Sequence, residues 1–322
     1  MIKSAAVSSR SVLVDPHGRT IRKLRLSLLD ACNASCLYCM PEKRLFESLQ
    51  RGLPIAELLE IVARLVHYGI TTVRVTGGEP TLHPDFIEYM QRLSQLPIER
   101  LAFTTNAIRL HQLLPQLEST NCRHINISLD SLQESGFKRI TGRAALEAVL
   151  AGIDAALERG YTIKLNCVLM RHLNDHEIPD FLAFAHRKGI EIRFLELMNI
   201  GIAGDYFQQH YFSAAECLAA IALHTTVTRL PSELDATAIQ YQTEQGARFG
   251  IIASESIPFC QHCSRWRLLP NGELRACLFQ SDGISLCACS PAEFEERLHT
   301  VLRRKPTERL VRQEQDMYQI GG

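Results

Sequence analysis

Three cysteines stand within eight residues of one another, Cys32, Cys36 and Cys39, and three more recur near the end of the chain as Cys260, Cys263 and Cys277. The sequence has 322 residues and eleven cysteines in all. No apolar run approaches the ~20 residues needed to span a bilayer, and Met1–Arg10 lacks the apolar stretch of a signal peptide. A cytoplasmic location is expected. In such a reducing compartment clustered cysteines bind metal or do chemistry more often than they form disulfides. Three thiolates on one loop can converge on one metal centre. A four-iron cluster takes one ligand per iron and usually four cysteines, so a triad leaves one iron open. The alternative is a zinc site completed by a distant His or Cys. At the second triad, Pro270-Asn271-Gly272 is a hairpin-like turn able to swing Cys277 back toward Cys260 and Cys263. There His262, Cys287 and Cys289 are available as a fourth ligand, and on spacing alone zinc and iron–sulfur readings stand level. Cys122, Cys167 and Cys217 lie among apolar neighbours and read as packing residues.

The elements that position the first triad follow an α/β rhythm. Short apolar runs at Leu24–Leu29, Val73–Thr76, Leu101–Thr105, His124–Leu129, Thr162–Leu169 and Glu191–Leu197 read as parallel strands. Helical spacing fills the gaps, for example Leu58, Leu59, Val62, Leu65 and Val66 before Gly69, and Leu146, Val149, Leu150, Ile153 and Leu157 before Gly160. Asn174 and Glu177 resemble a capping pair before a helix over residues 178–188. Six strand-then-helix steps are too few for a closed eight-stranded barrel. They favour an open or partial (β/α) barrel over a doubly wound sheet without deciding between them. Beyond about Gly201 the rhythm changes to a helix at Ser213–Leu223, three β-like runs, the second triad and a last helix near Pro291–Arg303. This predicts two domains, residues 1–200 and residues 201–322, the second an α+β subdomain that closes one side of the sheet.

Composition sets further bounds. Apolar residues make up 46% and charged residues 22%, so an ordinary globular fold is expected rather than disorder. The net charge is zero, which argues against a nucleic-acid partner or an anionic membrane surface.

Cys-x3-Cys-x2-Cys with Tyr38 before its last cysteine resembles the signature of the radical S-adenosylmethionine (SAM) enzymes. The turn Thr76-Gly77-Gly78-Glu79-Pro80 after the second strand resembles the superfamily's SAM-amine turn. Glycines there let the backbone approach a ligand, and a carboxylate faces an ammonium. The segment from Phe259 to Phe279, with Cys260-Gln-His-Cys263, Arg265-Trp-Arg267 and Cys277, resembles the second-cluster motif of the GTP 3′,8-cyclases of molybdenum cofactor biosynthesis. Cys39-Met-Pro, Ser128-Leu-Asp-Ser-Leu, Ile140-Thr-Gly, Arg193-Phe-Leu-Glu-Leu-Met198 and the terminal Ile320-Gly321-Gly322 match the same family, from about Gly18 to Gly322.

The resemblance implies a partial (β/α)6 barrel of the TIM type, with a C-terminal subdomain carrying a second iron–sulfur cluster. It implies two [4Fe–4S] clusters, SAM on the Cys32–Cys36–Cys39 cluster, and GTP at the open iron of the Cys260–Cys263–Cys277 cluster. Tyr38, Gly78, Glu79, Ser128 and Met198 match SAM-binding positions. Arg25, Arg74, Thr105, Lys164, Arg193, Arg265 and Arg267 match GTP-binding positions, with Thr104 the alternative to Thr105. Gly321 and Gly322 match a tail that the family uses inside the active site. The activity implied is conversion of GTP to (8S)-3′,8-cyclo-7,8-dihydro-GTP, the first step of molybdenum cofactor synthesis. An electron donor and a following enzyme, cyclic pyranopterin monophosphate synthase, are implied as partners of a monomer or homodimer. The alternative is a radical SAM peptide-modifying enzyme with an auxiliary cluster. Four positions depart from the family pattern: Ala31 for Arg, Thr72 for Lys, Ser264 for Asn and Asn199 for Pro.

Overall fold

A computed structural model describes residues 12–41 and 52–321. Six strands of the N-terminal stretch, β1 (Lys23–Ser27), β2 (Thr72–Thr76), β3 (Arg100–Thr105), β4 (His124–Ser128), β5 (Thr162–Leu169) and β6 (Glu191–Glu196), lie side by side in chain order. Every neighbouring pair is parallel. Between them run α1 (Ile55–His67), α2 (Phe86–Leu93), α3 (Leu110–Leu117), α4 (Glu134–Thr141), α5 (Leu146–Glu158) and α6 (Ile178–Lys188). The strand period of two sorts the side chains. Leu24, Leu26, Val73, Val75, Leu101, Phe103, Ile163 and Leu165 join the helices in one hydrophobic core. Arg25, Arg74, Lys164 and Arg193 fall on the opposite, inner face.

The C-terminal stretch corrects the expectation of a subdomain on one side. It feeds both edges of the same sheet. After α7 (Ala203–His210) and α8 (Ala214–Ala222), β7 (Val227–Arg229) and β8 (Ile239–Thr243) pair antiparallel, and β9 (Arg248–Ile252) runs parallel beside β6. At the other edge β10 (Arg265–Leu268) runs parallel beside β1, followed by β11 (Glu273–Arg275) and β12 (Ile284–Ser285). The order β12-β11-β10-β1-β2-β3-β4-β5-β6-β9-β8-β7 is an open twelve-stranded sheet, the partial barrel that the sequence suggested. α9 (Pro291–Arg303) begins with a capping box of Ser290 and Glu293 and packs Phe294, Leu298, Val301 and Leu302 inward.

A second expectation fails locally. Asn174 and Glu177 do not cap α6. Asn174 donates instead to the Asp130 and Val168 carbonyls at 2.7 and 2.9 Å. Glu177, fully buried, accepts from the Ser131 hydroxyl and the Leu132 amide, each at 2.7 Å. Both residues satisfy orphan backbone groups where the chain leaves β4, a stronger demand in a buried loop than a helix end near solvent.

Candidate active site

The first triad sits on the loop leaving the C-terminal end of β1, where barrel-type sheets build their sites. Cys32, Cys36 and Cys39 are half-buried. The Cys36 carbonyl accepts from the Cys39 and Met40 amides at 2.9 and 3.0 Å. The Ala34 amide and the Asn106 side-chain amide aim at Cys32 Sγ from 3.4 and 3.8 Å. Burial, then the charge of Asp130, pushes the Cys36 thiol well up. Burial also raises Cys39. Tyr38 donates its hydroxyl to Asp130 at 2.7 Å, and the Val168 amide donates to the other Asp130 oxygen at 2.8 Å. Burial outweighs both bonds and brings the Asp130 carboxyl up to about 6.

The Gly-Gly-Glu turn closes over this loop from the end of β2. A Cβ on Gly78 would lie 2.4 Å from the Ala31 carbonyl and 2.5 Å from that of Asp30, so only glycine fits. Glu79 is buried, with Oε1 accepting from the Thr81 amide and from the Thr81 and Thr105 hydroxyls. Its Oε2 accepts from the Asn106 amide at 2.7 Å. Glu79 thus ties β2 to β3, with Oε2 the less encumbered oxygen. Thr105 alternates with Leu101 and Phe103 on the core side of β3, where its bond to Glu79 holds it. Thr104, in register with Asn126, occupies the inner face instead. Ser128 and Met198 lie at the ends of β4 and β6, on the same rim as Tyr38 and Gly78.

Strand register lines up the cations. Arg267, Arg25 and Arg74 are neighbours across β10, β1 and β2. Lys164 and Arg193 share Glu191, at 2.7 and 2.6 Å. With its amide oxygen turned toward Arg74, Asn126 accepts from that guanidinium at 3.0–3.3 Å. Burial, then the charge of Arg265, pulls Arg25 down to about 10. Burial, then Arg25, pulls Arg74 and Arg267 well down. A guanidinium does not shed its proton here, so these shifts express repulsion that an anion relieves.

The second triad lies at the opposite end of the sheet. Cys263 stands two residues before β10, and Cys277 two residues after β11, which runs back antiparallel. By register, about 20 Å of strand separates the Cys263 level from the Ser27 end of β1. Lys305, 3% exposed, donates to Cys263 Sγ at 3.4 Å and to the Arg265 and Ala276 carbonyls at 2.7 and 2.9 Å. Arg265 donates to the same sulfur at 3.5 Å. Burial opposes the Cys263 thiolate, but Arg265 and Lys305 outweigh it and bring the thiol down to about 6. Buried Arg19 binds the Cys260, Lys305 and Pro306 carbonyls. Sequence reasoning missed Lys305, Arg19 and Asp130. A charged residue's burial has no periodicity to betray it, and only Asp130 lay inside a quoted motif.

The chain end enters the inner face. Tyr318 and Ile320 are buried, and the Gly321 carbonyl accepts from Arg267 at 2.7 Å and from the Thr76 hydroxyl at 3.2 Å. Gly321 has φ of 70°, and a Cβ there would stand 2.7 Å from Ser27 Cβ. Gly322 lies outside the described residues.

The chain resembles known proteins along nearly its whole length. Residues 26–185 match the Radical SAM superfamily and residues 190–313 match Molybdenum Cofactor Synthesis C. A GTP 3′,8-cyclase of Synechocystis sp. is 43% identical over 317 residues, 98% of this chain and 97% of the relative. One from Clostridium acetobutylicum is 33% identical over 321 residues, 96% and 100% of the two chains. The chain belongs to the GTP 3′,8-cyclase family. Among solved structures, Streptococcus suis SuiB bound to S-adenosylmethionine shares the fold at a TM-score of 0.58 and 16% identity, over 90% of this chain and 68% of that one.

Membership of the GTP 3′,8-cyclase family gives the departures a structural setting. Ala31 acts through its carbonyl, which accepts from the Glu79 amide at 2.9 Å. Ser264 is buried and donates to Asp235, which also binds Arg22 and Lys23 and so latches β10 to β1. The Asn199 amide donates to Glu255 at 3.2 Å. Thr72 stands on the inner face beside Arg100 of β3. Cys289 Sγ donates to the Leu286 carbonyl at 3.3 Å. Cys287 Sγ lies against the Asn271 carbonyl at the Gly272 end of β11, the end opposite Cys277. Cys122, Cys167 and Cys217 are buried, as the sequence implied. Each triad offers three thiols, the usual donors of iron–sulfur clusters, and N–H groups aim at Cys32 in the first and at Cys263 and Cys277 in the second. Among the described residues no helix is long and apolar enough to cross a membrane.

Proposed function

We propose that the protein is a radical SAM GTP 3′,8-cyclase, converting GTP to (8S)-3′,8-cyclo-7,8-dihydro-GTP in the first step of molybdenum cofactor biosynthesis. One observation carries the reading. In a chain with 97–98% mutual coverage of a GTP 3′,8-cyclase, two cysteine triads flank the ends of an inner face lined with cations. Cys32, Cys36 and Cys39 would hold the SAM cluster, and Cys260, Cys263 and Cys277 would hold a second cluster that binds the guanine base. When bound, the first cluster and SAM supply the radical that takes hydrogen from C3′ of the ribose.

The chain's own residues bind and orient. Tyr38, Gly78, Glu79, Ser128 and Met198 form the rim that seats SAM, with Glu79 Oε2 directed to its ammonium. Arg25, Arg74, Lys164, Arg193, Arg265 and Arg267 receive the nucleotide, whose charge relieves their mutual repulsion. Thr105 fixes Glu79, and Thr104 is the threonine placed to meet GTP. Gly321 lies between substrate and rim and, with Gly322 as the next residue of the tail, serves the reaction by excluding water. The division at residue 200 assigns one triad to each part. An external electron donor and a following cyclic pyranopterin monophosphate synthase complete the pathway around a cytoplasmic monomer or homodimer without nucleic-acid or membrane partners. Anaerobic incubation with SAM, dithionite and GTP, followed by mass analysis, tests this. A product isomeric with GTP and dependent on SAM is expected. SAM cleavage without any change to GTP overturns the reading.

A further inference from the structure

A small cavity of about 50 Å³ opens on the inner face near the N-terminal ends of β3, β4 and β5. It has room for a few water-sized groups and not for a purine. Its lining includes Arg74, Arg100, His124, Lys164 and Arg193, and contains no carboxylate. Four of these carry formal positive charge at neutral pH. Arg100 begins β3 and reaches His124 Nδ1 at 3.5 Å. It is exposed, so it stands at the mouth while Arg74 forms the floor. Glu191, in register with Lys164 and outside the lining, is already held by Lys164 and Arg193. Burial, then the charges of Arg100, Lys164 and Arg74, depresses His124 below its usual range, an independent sign of the local positive field.

We infer that this mouth is a terminal-phosphate subsite, in which Arg100 binds the last phosphoryl group of the nucleotide and makes the protein select triphosphates over monophosphates. The inference rests on the proposed GTP reading and deepens it. Geometry limits the occupant. A compact, multiply charged oxyanion fits a small cavity ringed by guanidinium and ammonium groups. The base and ribose have no room there, and the second triad lies across the sheet by β10. A triphosphate lying along the inner face from Arg25 and Arg74 meets Arg100 last. Thr72 is in register with Arg100 and on the same face, so a cation at either position reaches the same mouth. This register makes the assignment testable by transplanting the charge.

The experiment measures binding of GTP, GDP and GMP to the cluster-loaded protein under anaerobic conditions, with Arg100→Ala and with Arg100→Ala/Thr72→Lys. Arg100→Ala should weaken GTP roughly tenfold, the scale of one charge-assisted contact at a partly exposed site, and leave GMP unchanged. The double variant should recover most of the loss. Inorganic pyrophosphate should compete with GTP in the wild type and lose affinity in Arg100→Ala. Equal losses for GTP and GMP, or no loss for either, overturn the subsite. Pyrophosphate bound alongside GTP also overturns it, since the cavity would then serve a separate free anion. A wild-type protein that binds no GTP overturns the underlying functional reading. A wild type that binds GTP, with an unchanged GTP-to-GMP ratio in Arg100→Ala, removes this inference alone.

Discussion

Around the half-buried thiols of the first triad the nearby charged group is a carboxylate, Asp130; around Cys263 of the second triad it is an amine and a guanidinium, Lys305 and Arg265. Burial raises Cys36 and Cys39, while Cys263 falls to about 6 in spite of burial. A thiolate is the metal ligand, so a ligand with a raised pKa needs the metal itself to displace the proton. One with a lowered pKa is set for ligation beforehand. The two loops also differ in fastening. The first hangs on backbone bonds to the end of α4, with the Ser35 and Leu37 amides donating to Thr141 and Ile140. The second is clamped by buried Arg19 and Lys305. Cysteine spacing alone makes the two triads look like equivalents. Their surroundings distinguish them: a carboxylate stands beside the first, and an amine and a guanidinium stand beside the second.

The largest effects should come from removing the ligands. Cys32→Ala/Cys36→Ala/Cys39→Ala should abolish release of 5′-deoxyadenosine and keep the iron of the other triad. Continued release by that variant breaks the assignment. Cys260→Ala/Cys263→Ala/Cys277→Ala should remove about half the iron, as expected when one of two equal clusters is lost, and stop cyclisation. Unchanged product would show that the second triad is structural.

The tail comes next. Deleting Gly321 and Gly322 should leave the iron content and most GTP affinity intact. Product yield should fall on the order of 10–100-fold, the scale of lost positioning. Gly321→Ala should act in the same direction, because its left-handed backbone costs a side chain roughly 1–2 kcal/mol and Ser27 blocks the Cβ. Wild-type yield from the truncated protein would make the seated tail incidental.

Arg265→Ala and Arg267→Ala should each weaken GTP by about 1.5–3 kcal/mol in an anaerobic titration, with much less change for SAM. Equal losses for both ligands would place the arginines in the scaffold. The smallest effect sharpens the electrostatic contrast directly. In iron-free protein at pH 7, iodoacetamide should label Cys263 ahead of Cys36 and Cys39. The thiolate reacts, and a thiol that titrates near 6 is mostly ionised at that pH. The Cys263 rate should therefore rise through pH 6 and level off, while Cys36 and Cys39 remain slow until far more alkaline pH. Lys305→Met should move the Cys263 midpoint upward. Indistinguishable profiles would remove the contrast.

Much of this architecture was legible because its signals are local. The short apolar runs placed β1 to β6 within a few residues, and Gly69 and Gly160 marked helix ends that adopt φ of 106° and 74°. The cysteine triads were legible for the same reason, since ligand spacing on a single loop is a property of neighbours in the chain. The match of Thr105 to a substrate contact was less secure. A shift of one residue along a strand exchanges its faces, and the register of Thr104 with Asn126, together with the bond from Thr105 to Glu79, shows which threonine faces inward.

By itself the sequence determined the strand-and-helix rhythm, the two triads, the glycine turn that admits no Cβ, and the family to which they belong. It could not determine that β9 and β10 extend opposite edges of one sheet, since pairing between strands distant in the chain leaves no periodic trace. Nor could it place Lys305 on Cys263, Arg267 on the Gly321 carbonyl, or Arg100 beside Thr72. Those encounters join residues tens of positions apart in the chain. The closed tertiary structure decides them, because only there does burial remove water and let a single charge set the state of the sulfur beside it.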